Sequence, residues 1–167
     1  KTPDYLFVHG MLTLNGEKLS KSKGTFINAR TYLKHLDPNY LRYYFAAKLN
    51  GTVEDLDLNL DDFVARVNSD LIGKITNIAS RSMRMLEKLE GKLGKLSPEG
   101  KKLVIEAQEK AQVIAHFYEQ RQFAKAILQI RAIADDANKY FDDHTPWQLV
   151  KTDVEKTLEI PTASINL

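Results

Sequence analysis

The 167-residue chain contains no cysteine. That excludes disulfides and thiolate zinc sites, and it fits a reducing cytoplasm, the expected location. Long apolar runs are also missing: the longest is a few residues, far short of the roughly 20 needed to span a bilayer. The first residues, Lys1-Thr2-Pro3-Asp4, lack the basic head and apolar stretch of a secretory leader. No methionine begins the chain, which reads as a piece of something longer. There is no internal repeat or low-complexity tract. His144 has no companion at metal-ligand spacing, so no metal ligands are expected. Tryptophan occurs once, at Trp147.

What is present is ordinary for a soluble globular protein, with 43% apolar and 28% charged residues. The length suits one domain, or one domain plus a fragment. The net charge of +2 hides an alternation. Residues 1–50 carry eight Lys/Arg against three acids, residues 51–70 one against six, and residues 71–95 six against two. Two basic segments separated by an acidic one suggest two local contacts with an anion, although solvated faces also produce such runs.

The texture changes near Asn59. Before it, Tyr5–Leu14 is β-prone, Asn15-Gly16 is a turn dipeptide, and short helices are expected over Ala29–Leu36 and from Pro38 to Leu49. Thr52–Asn59 reads as an acidic connector. From Asn59 the pattern is helical throughout. Asn59 is a good N-cap, and Asp61 and Asp62 place negative charge where the helix dipole favours it. Phe63, Val67, Leu71, Ile75, Ile78, Ser82 and Leu86 then step by three or four residues along one buried face. Ser97-Pro98 opens a second helix with the face Leu103, Ala107, Ala111, Ile114 and Tyr118. A third buries Phe123, Ile127, Ile130, Ala134, Ala137 and Phe141, and Thr145-Pro146 repeats the cap-plus-proline device for a fourth. Short connections favour antiparallel neighbours, hence an up-down bundle.

Lys18-Leu19-Ser20-Lys21-Ser22-Lys23-Gly24 gathers three ammonium groups, two hydroxyls and a glycine into one turn region. Lysine supplies mobile point charge, serine supplies short-range donors, and glycine lets the backbone approach closely; the combination suits a polyphosphate, though a solvated basic loop has the same composition. The string resembles the KMSKS motif of class I aminoacyl-tRNA synthetases, with Leu19 replacing the usual Met, a volume-conserving swap. Leu6-Phe7-Val8-His9-Gly10 before it and Gly24-Thr25-Phe26-Ile27 after it are similar to the methionyl branch of that class. The resemblance implies that the loop (Lys18, Leu19, Ser20, Lys21, Ser22) binds ATP with Mg²⁺ and that Lys21, assisted by Lys18, acts catalytically on the pyrophosphate leaving group.

Asp37-Pro38-Asn39-Tyr40-Leu41-Arg42-Tyr43-Tyr44 resembles the segment that follows this loop in the same class. Leu41, Tyr44 and Phe45 at helical spacing are expected in the core, and Arg42 as an ion-pair partner. Asp57–Leu71 is similar to the opening of the methionyl anticodon-binding bundle, with Asn68 and Asp70 as capping or inter-helix hydrogen bonders.

Lys74, Asn77, Arg81, Arg84 and Lys88 form a polar stripe almost free of acids. Amide and guanidinium groups one turn apart can read edges of unpaired bases, although a solvated face looks the same. In the family resembled, the positions matching Asn77 and Arg81, and a Pro-Trp pair matching Pro146-Trp147, contact the anticodon. A lone Trp is more often core, but the polar neighbours Asp142, Asp143, His144 and Gln148 make full burial less expected.

The fold class expected is therefore mainly α: an antiparallel helical bundle of the anticodon-binding type over residues 59–167, preceded over residues 1–58 by a small α/β remnant of a catalytic domain. The implied partners are the tRNA(Met) anticodon, with ATP and methionine in the intact ligase; no membrane partner is expected, and oligomeric state is open. The HIGH motif and methionine pocket of the family lie outside this sequence, so the piece alone is expected not to aminoacylate. Pro161 is expected to kink or restart the final helix, and the last bundle helices to be incomplete. Rival readings are another class I synthetase (cysteinyl, leucyl or valyl), a generic RNA-binding module, and a helical scaffold with no RNA role.

Overall fold

The computed structural model describes residues 2–167. A three-stranded sheet forms the N-terminal part: β1 (Leu12–Leu14), β2 (Glu17–Lys18) and β3 (Leu56–Leu58), in the order β2-β1-β3. β1 and β2 form an antiparallel hairpin that pairs Leu14 with Glu17 across Asn15-Gly16. Both turn residues have positive φ, +49° and +79°, as the tightest hairpin turn requires, and Asn and Gly tolerate that region best. β1 also runs parallel to β3, with Leu12 beside Leu56. The strand expected from Tyr5 is therefore shorter. Tyr5 to Val8 is exposed and forms no strand, and β3 arises inside what reads as an acidic connector. A three-residue strand has too few positions to show alternation.

Helices hold 61% of the residues, which makes the chain mainly α. α1 (Ala29–Tyr32) and α2 (Pro38–Ala46) are capped by Asn28 and Asp37. α3 (Leu60–Arg66) starts at the Asn59 cap, whose side chain accepts from the Asp62 N–H. It runs on through a wide π-type segment, Val67–Thr76, into α4 (Asn77–Lys88). Gly73 permits the wide winding: a Cβ there would lie 3.0 Å from the Asn68 carbonyl oxygen five residues back. α5 (Pro98–Glu119) begins at Ser97, whose hydroxyl accepts from the Gly100 N–H, and α6 (Phe123–His144) follows after a short turn. α7 (Pro146–Leu149) and α8 (Val154–Ile165) follow and pack on the bundle.

Two departures concern the ends of helices. Thr145 does not cap with its side chain; it sits at φ +40° and serves both as the left-handed end of α6 and as the entry to α7. The final helix restarts not at Pro161 but earlier, at the Asp153 cap, and α8 continues through Pro161, which is buried. On α5 the expected face holds in part: Leu103, Ala107 and Ile114 are half-buried, with Leu103 packed on the core, and Gly100 and Val104 beside them are buried, whereas Ala111 and Tyr118 are exposed. The α6 face is as expected, with Ile127, Ala134, Ala137 and Phe141 buried.

Two apolar clusters result. Ile78, Met85, Leu89, Ala137, Tyr140, Phe141, Ile160 and Ala163 form the bundle core. Tyr44, Phe63 and Val67 form a second cluster at the junction with the sheet, with Leu41 and Phe45 packed beside them. No helix of the described residues is long and apolar enough to cross a membrane.

Candidate phosphate loop and nucleic-acid interface

β2 ends at Lys18, and the chain turns at once through Leu19–Gly24. Thr25 braces both ends of this loop: its hydroxyl donates to the Lys18 carbonyl (2.9 Å) and accepts from the Ser20 N–H (3.1 Å). The hydroxyls of Ser20 and Ser22 lie 3.0 Å apart, and Gly24 closes the turn at φ +73°. Glu17, Lys18, Leu19, Ser20 and Lys23 line a cavity of about 410 Å³. Lys18, Lys21 and Lys23 are exposed, and the Lys21 ammonium sits 5.5 Å from the centre of the Phe26 ring. The loop therefore offers mobile ammonium groups and hydroxyls from a fixed base, as polyphosphate binding needs.

That base is fastened to the bundle. Asp57 on β3 accepts from the Gly16 N–H (2.8 Å) and the Thr13 hydroxyl (2.7 Å); these bonds hold its carboxyl below the usual range. Asn15 Oδ1 accepts from the Leu60 N–H at 3.0 Å. Beneath them the fully buried Tyr44 hydroxyl lies 3.1 Å from both the Asp57 carbonyl oxygen and Asp62 Oδ2, while accepting from the Asn59 N–H and the Lys48 ammonium. Burial alone would raise the Asp62 pKa, but hydrogen bonds from Lys48, Arg66 and Tyr44 bring it down to about 2. Tyr44 thus joins the core, as expected, and is also the polar centre of the junction. Arg42 departs from expectation: it is exposed and contacts Asn39, with no acidic partner among the described residues.

At the other end of the molecule, α4 lies beside α6. Asn77 Nδ2 donates to Asn138 Oδ1 (3.2 Å), and Asn138 in turn donates to the carbonyls of Lys74 (3.0 Å) and Ala134 (2.7 Å). The Lys74 ammonium pairs with Asp135 at 2.7 Å, and Arg81 pairs with Asp142. The Arg81 guanidinium also lies 4.6 Å from the centre of the Phe141 ring and 5.8 Å from that of Trp147. Pro146 is buried and anchors the start of α7, leaving the neighbouring Trp147 side chain 45% exposed. Arg81, Pro146 and Trp147 are therefore brought together, with Asn77 one turn along α4. Arg84 and Lys88 are exposed and have no ion-pair partner among the described residues.

The stripe that looks free of acids along its own helix is supplied with them by α6. Asp135, Asn138 and Asp142 are partners of that stripe that reading α4 alone does not reveal. Their spacing of three and four residues, which copies that of Lys74, Asn77 and Arg81, is the signal that could have found them. Asp70 acts as expected between helices, pairing with Arg131 at 3.1 Å, whereas Asn68 is exposed. His144 lies in the last turn of α6; its ring centre is 4.3 Å from that of Tyr140, tilted by 42°, and its Nε2 is 3.2 Å from Glu99.

Comparison with known proteins gives a family match for each part of the chain. The family model "tRNA synthetases class I (M)" matches residues 1–83, and "Anticodon binding domain of methionyl tRNA ligase" matches residues 91–167. A methionine--tRNA ligase of Bdellovibrio bacteriovorus is 55% identical over 100% of this chain and 24% of its own length. One from Leptospira biflexa is 51% identical over 99% of this chain and again 24% of its own. The chain thus spans about a quarter of these relatives. Mycobacterium tuberculosis methionyl-tRNA synthetase in complex with methionyl-adenylate superposes with a TM-score of 0.80 at 26% identity, covering 95% of this chain and 32% of that one. Its apo form, at 22% identity and a TM-score of 0.79, shows the same fold. These matches favour the methionyl branch over the cysteinyl, leucyl and valyl alternatives, and the chain belongs to the class I methionyl-tRNA synthetases.

Proposed function

We propose that this chain is the part of a methionine--tRNA ligase that supplies the ATP-phosphate loop and the anticodon-reading bundle. The observation that carries the proposal is the meeting of Arg81 with Trp147: a guanidinium 5.8 Å from a half-exposed indole offers a stacking surface with a hydrogen-bonding edge beside it. An unpaired base can stack on Trp147 while Arg81 and Asn77 address its edges. Pro146 sets the angle of the indole. In this reading residues 59–167 recognise the tRNA(Met) anticodon, and residues 1–58 end the catalytic domain.

The loop serves the first half-reaction. A carboxylate oxygen of methionine bonds to the α-phosphorus of ATP as the bond to the bridging oxygen breaks, and the electron pair leaves with pyrophosphate. Lys21, released from the Phe26 face, stabilises the charge that builds on that leaving group; Lys18 assists, and Ser20 and Ser22 shape the loop. The nucleotide would be taken up as its magnesium complex, the metal adding charge neutralisation on the phosphates.

The test uses the full-length protein in two assays. An anticodon stem-loop with a CAU loop, at stated salt, is expected to bind and to lose affinity on a single anticodon change. Sequence-blind binding refutes the reading of the bundle. In methionine-dependent pyrophosphate exchange, Lys21→Ala is expected to fall by about 10²–10³ with methionine affinity retained. Normal exchange by that variant refutes the reading of the loop.

A further inference from the structure

The long helix that begins as α3 and ends as α4 meets α6 through a ladder of four polar rungs with one constant sequence separation. Lys74–Asp135, Asn77–Asn138 and Arg81–Asp142 are each separated by 61 residues, and so is Asp70–Arg131. A constant separation means the two helices run parallel along the contact. The Asp70–Arg131 rung differs from the other charged rungs in two ways. It is the most buried, with the Asp70 side chain 5% exposed, and its polarity is reversed: the acid is on the long helix and the base on α6. The nearby Tyr43 hydroxyl from α2 is also buried and, like Arg131 Nε, has no hydrogen-bond partner among the described residues.

The reversal has a consequence for register. If α6 slips by one turn in one direction, Arg131 comes opposite Lys74; in the other direction, Asp135 comes opposite Asp70. Each slip sets like charges against each other, the second beside the buried Asp70, and only the native register pairs all four rungs. We propose that Asp70 and Arg131 are positioning residues for anticodon recognition: their reversed rung fixes the register in which Asn77 and Arg81 are presented beside Trp147, although neither residue touches RNA. This rests on the anticodon reading given above.

The experiment compares wild type, Asp70→Asn and the exchange D70R/R131D in the full-length protein. It measures melting temperature and the ratio of affinities for a CAU stem-loop and a loop with one anticodon change. A variant that is only less well folded weakens both loops by the same factor and leaves the ratio unchanged, so the ratio isolates positioning. Asp70→Asn is expected to reduce the ratio at least tenfold. The exchange keeps the ion pair but gives every charged rung the same polarity, so a one-turn slip no longer opposes like charges. It is expected to recover melting temperature more fully than the ratio. A ratio within twofold of wild type in Asp70→Asn overturns the proposal, as does an exchange that restores both quantities. If the exchange does not fold, Asp70→Asn alone decides. A wild-type protein with no preference for the CAU loop refutes the anticodon reading itself, and is distinguishable from an intact preference that Asp70→Asn fails to alter.

Discussion

The side chain of Asn15, at the tip of the hairpin leading into the lysine-rich loop, accepts a hydrogen bond from the backbone N–H of Leu60, the first residue of the long bundle helix, at 3.0 Å. A helix start carries N–H groups with no partner inside the helix, so one of these orphan donors is satisfied by the phosphate-loop hairpin. Asn15 thereby ties the loop hairpin directly to the start of the bundle. Asn15→Gly keeps the positive φ available and removes the acceptor. The expected cost is about 0.5–1.5 kcal/mol, accompanied by faster amide exchange at Leu60. Asn15→Asp retains an acceptor and should keep Leu60 protected; equal protection in wild type and Asn15→Gly would show that the bond contributes nothing in solution.

In the proposed anticodon reading, Asp142, which pairs with Arg81, competes with RNA for that guanidinium. The pair is partly exposed, with side-chain accessibilities of 25% for Arg81 and 56% for Asp142, so its own contribution is small, about 0–1 kcal/mol. Asp142→Asn removes a negative charge from the surface proposed to receive RNA and frees the guanidinium. Tighter binding of an anticodon stem-loop is expected, by up to about fivefold at low salt and less at high salt. Weaker binding would mean that Asp142 holds Arg81 in a productive orientation and that competition is the lesser effect.

Trp147 combines exposure with a partial apolar contact: it is 45% exposed, and its ring centre is 6.4 Å from that of Phe141. Trp147→Ala should therefore lower the melting temperature only slightly while removing a stacking surface worth about 1–3 kcal/mol, or roughly 5- to 150-fold in affinity. Loss of the helical circular dichroism signal with the substitution would instead assign Trp147 to the core.

Much of this arrangement was legible where the physics is local. The Asn59 cap with Asp61 and Asp62 behind it, the Ser97-Pro98 start of α5 and the inward face of α6 follow from capping geometry and the 3.6-residue period. The loop at Lys18–Gly24 was legible as composition and as a family resemblance. What stayed hidden depends on partners distant in sequence. β3 exists because Leu56–Leu58 lies beside Leu12–Leu14, and three residues carry no periodicity of their own. The wide winding of Val67–Thr76 preserves the apolar steps on either side of it, so the pattern does not betray it. The acids that neutralise the α4 stripe lie 61 residues away. Thr145 has the residue type of a cap, yet its left-handed backbone, set by the tight α6–α7 corner, leaves its hydroxyl without that role.

The junction between sheet and bundle should be sensitive to acid through Asp62. Burial opposes ionisation of this carboxyl, but the bonds from Lys48, Arg66 and Tyr44 prevail and hold its pKa at about 2, against an ordinary 3.8. The folded state therefore binds its proton less readily than the unfolded state does. The stabilisation is fully present above about pH 4 and is lost as pH falls through that window toward 2. Asp57, likewise held low by the Gly16 N–H and the Thr13 hydroxyl, adds in the same direction. Asp62→Asn should destabilise the protein at neutral pH, because the Lys48 ammonium, its side chain only 22% exposed, loses its carboxylate partner. It should also flatten the pH dependence of stability between pH 4 and 2. The check is urea unfolding of both proteins across that range. The two stability curves should converge as the pH falls, and curves that remain parallel would place the acid sensitivity in other carboxylates.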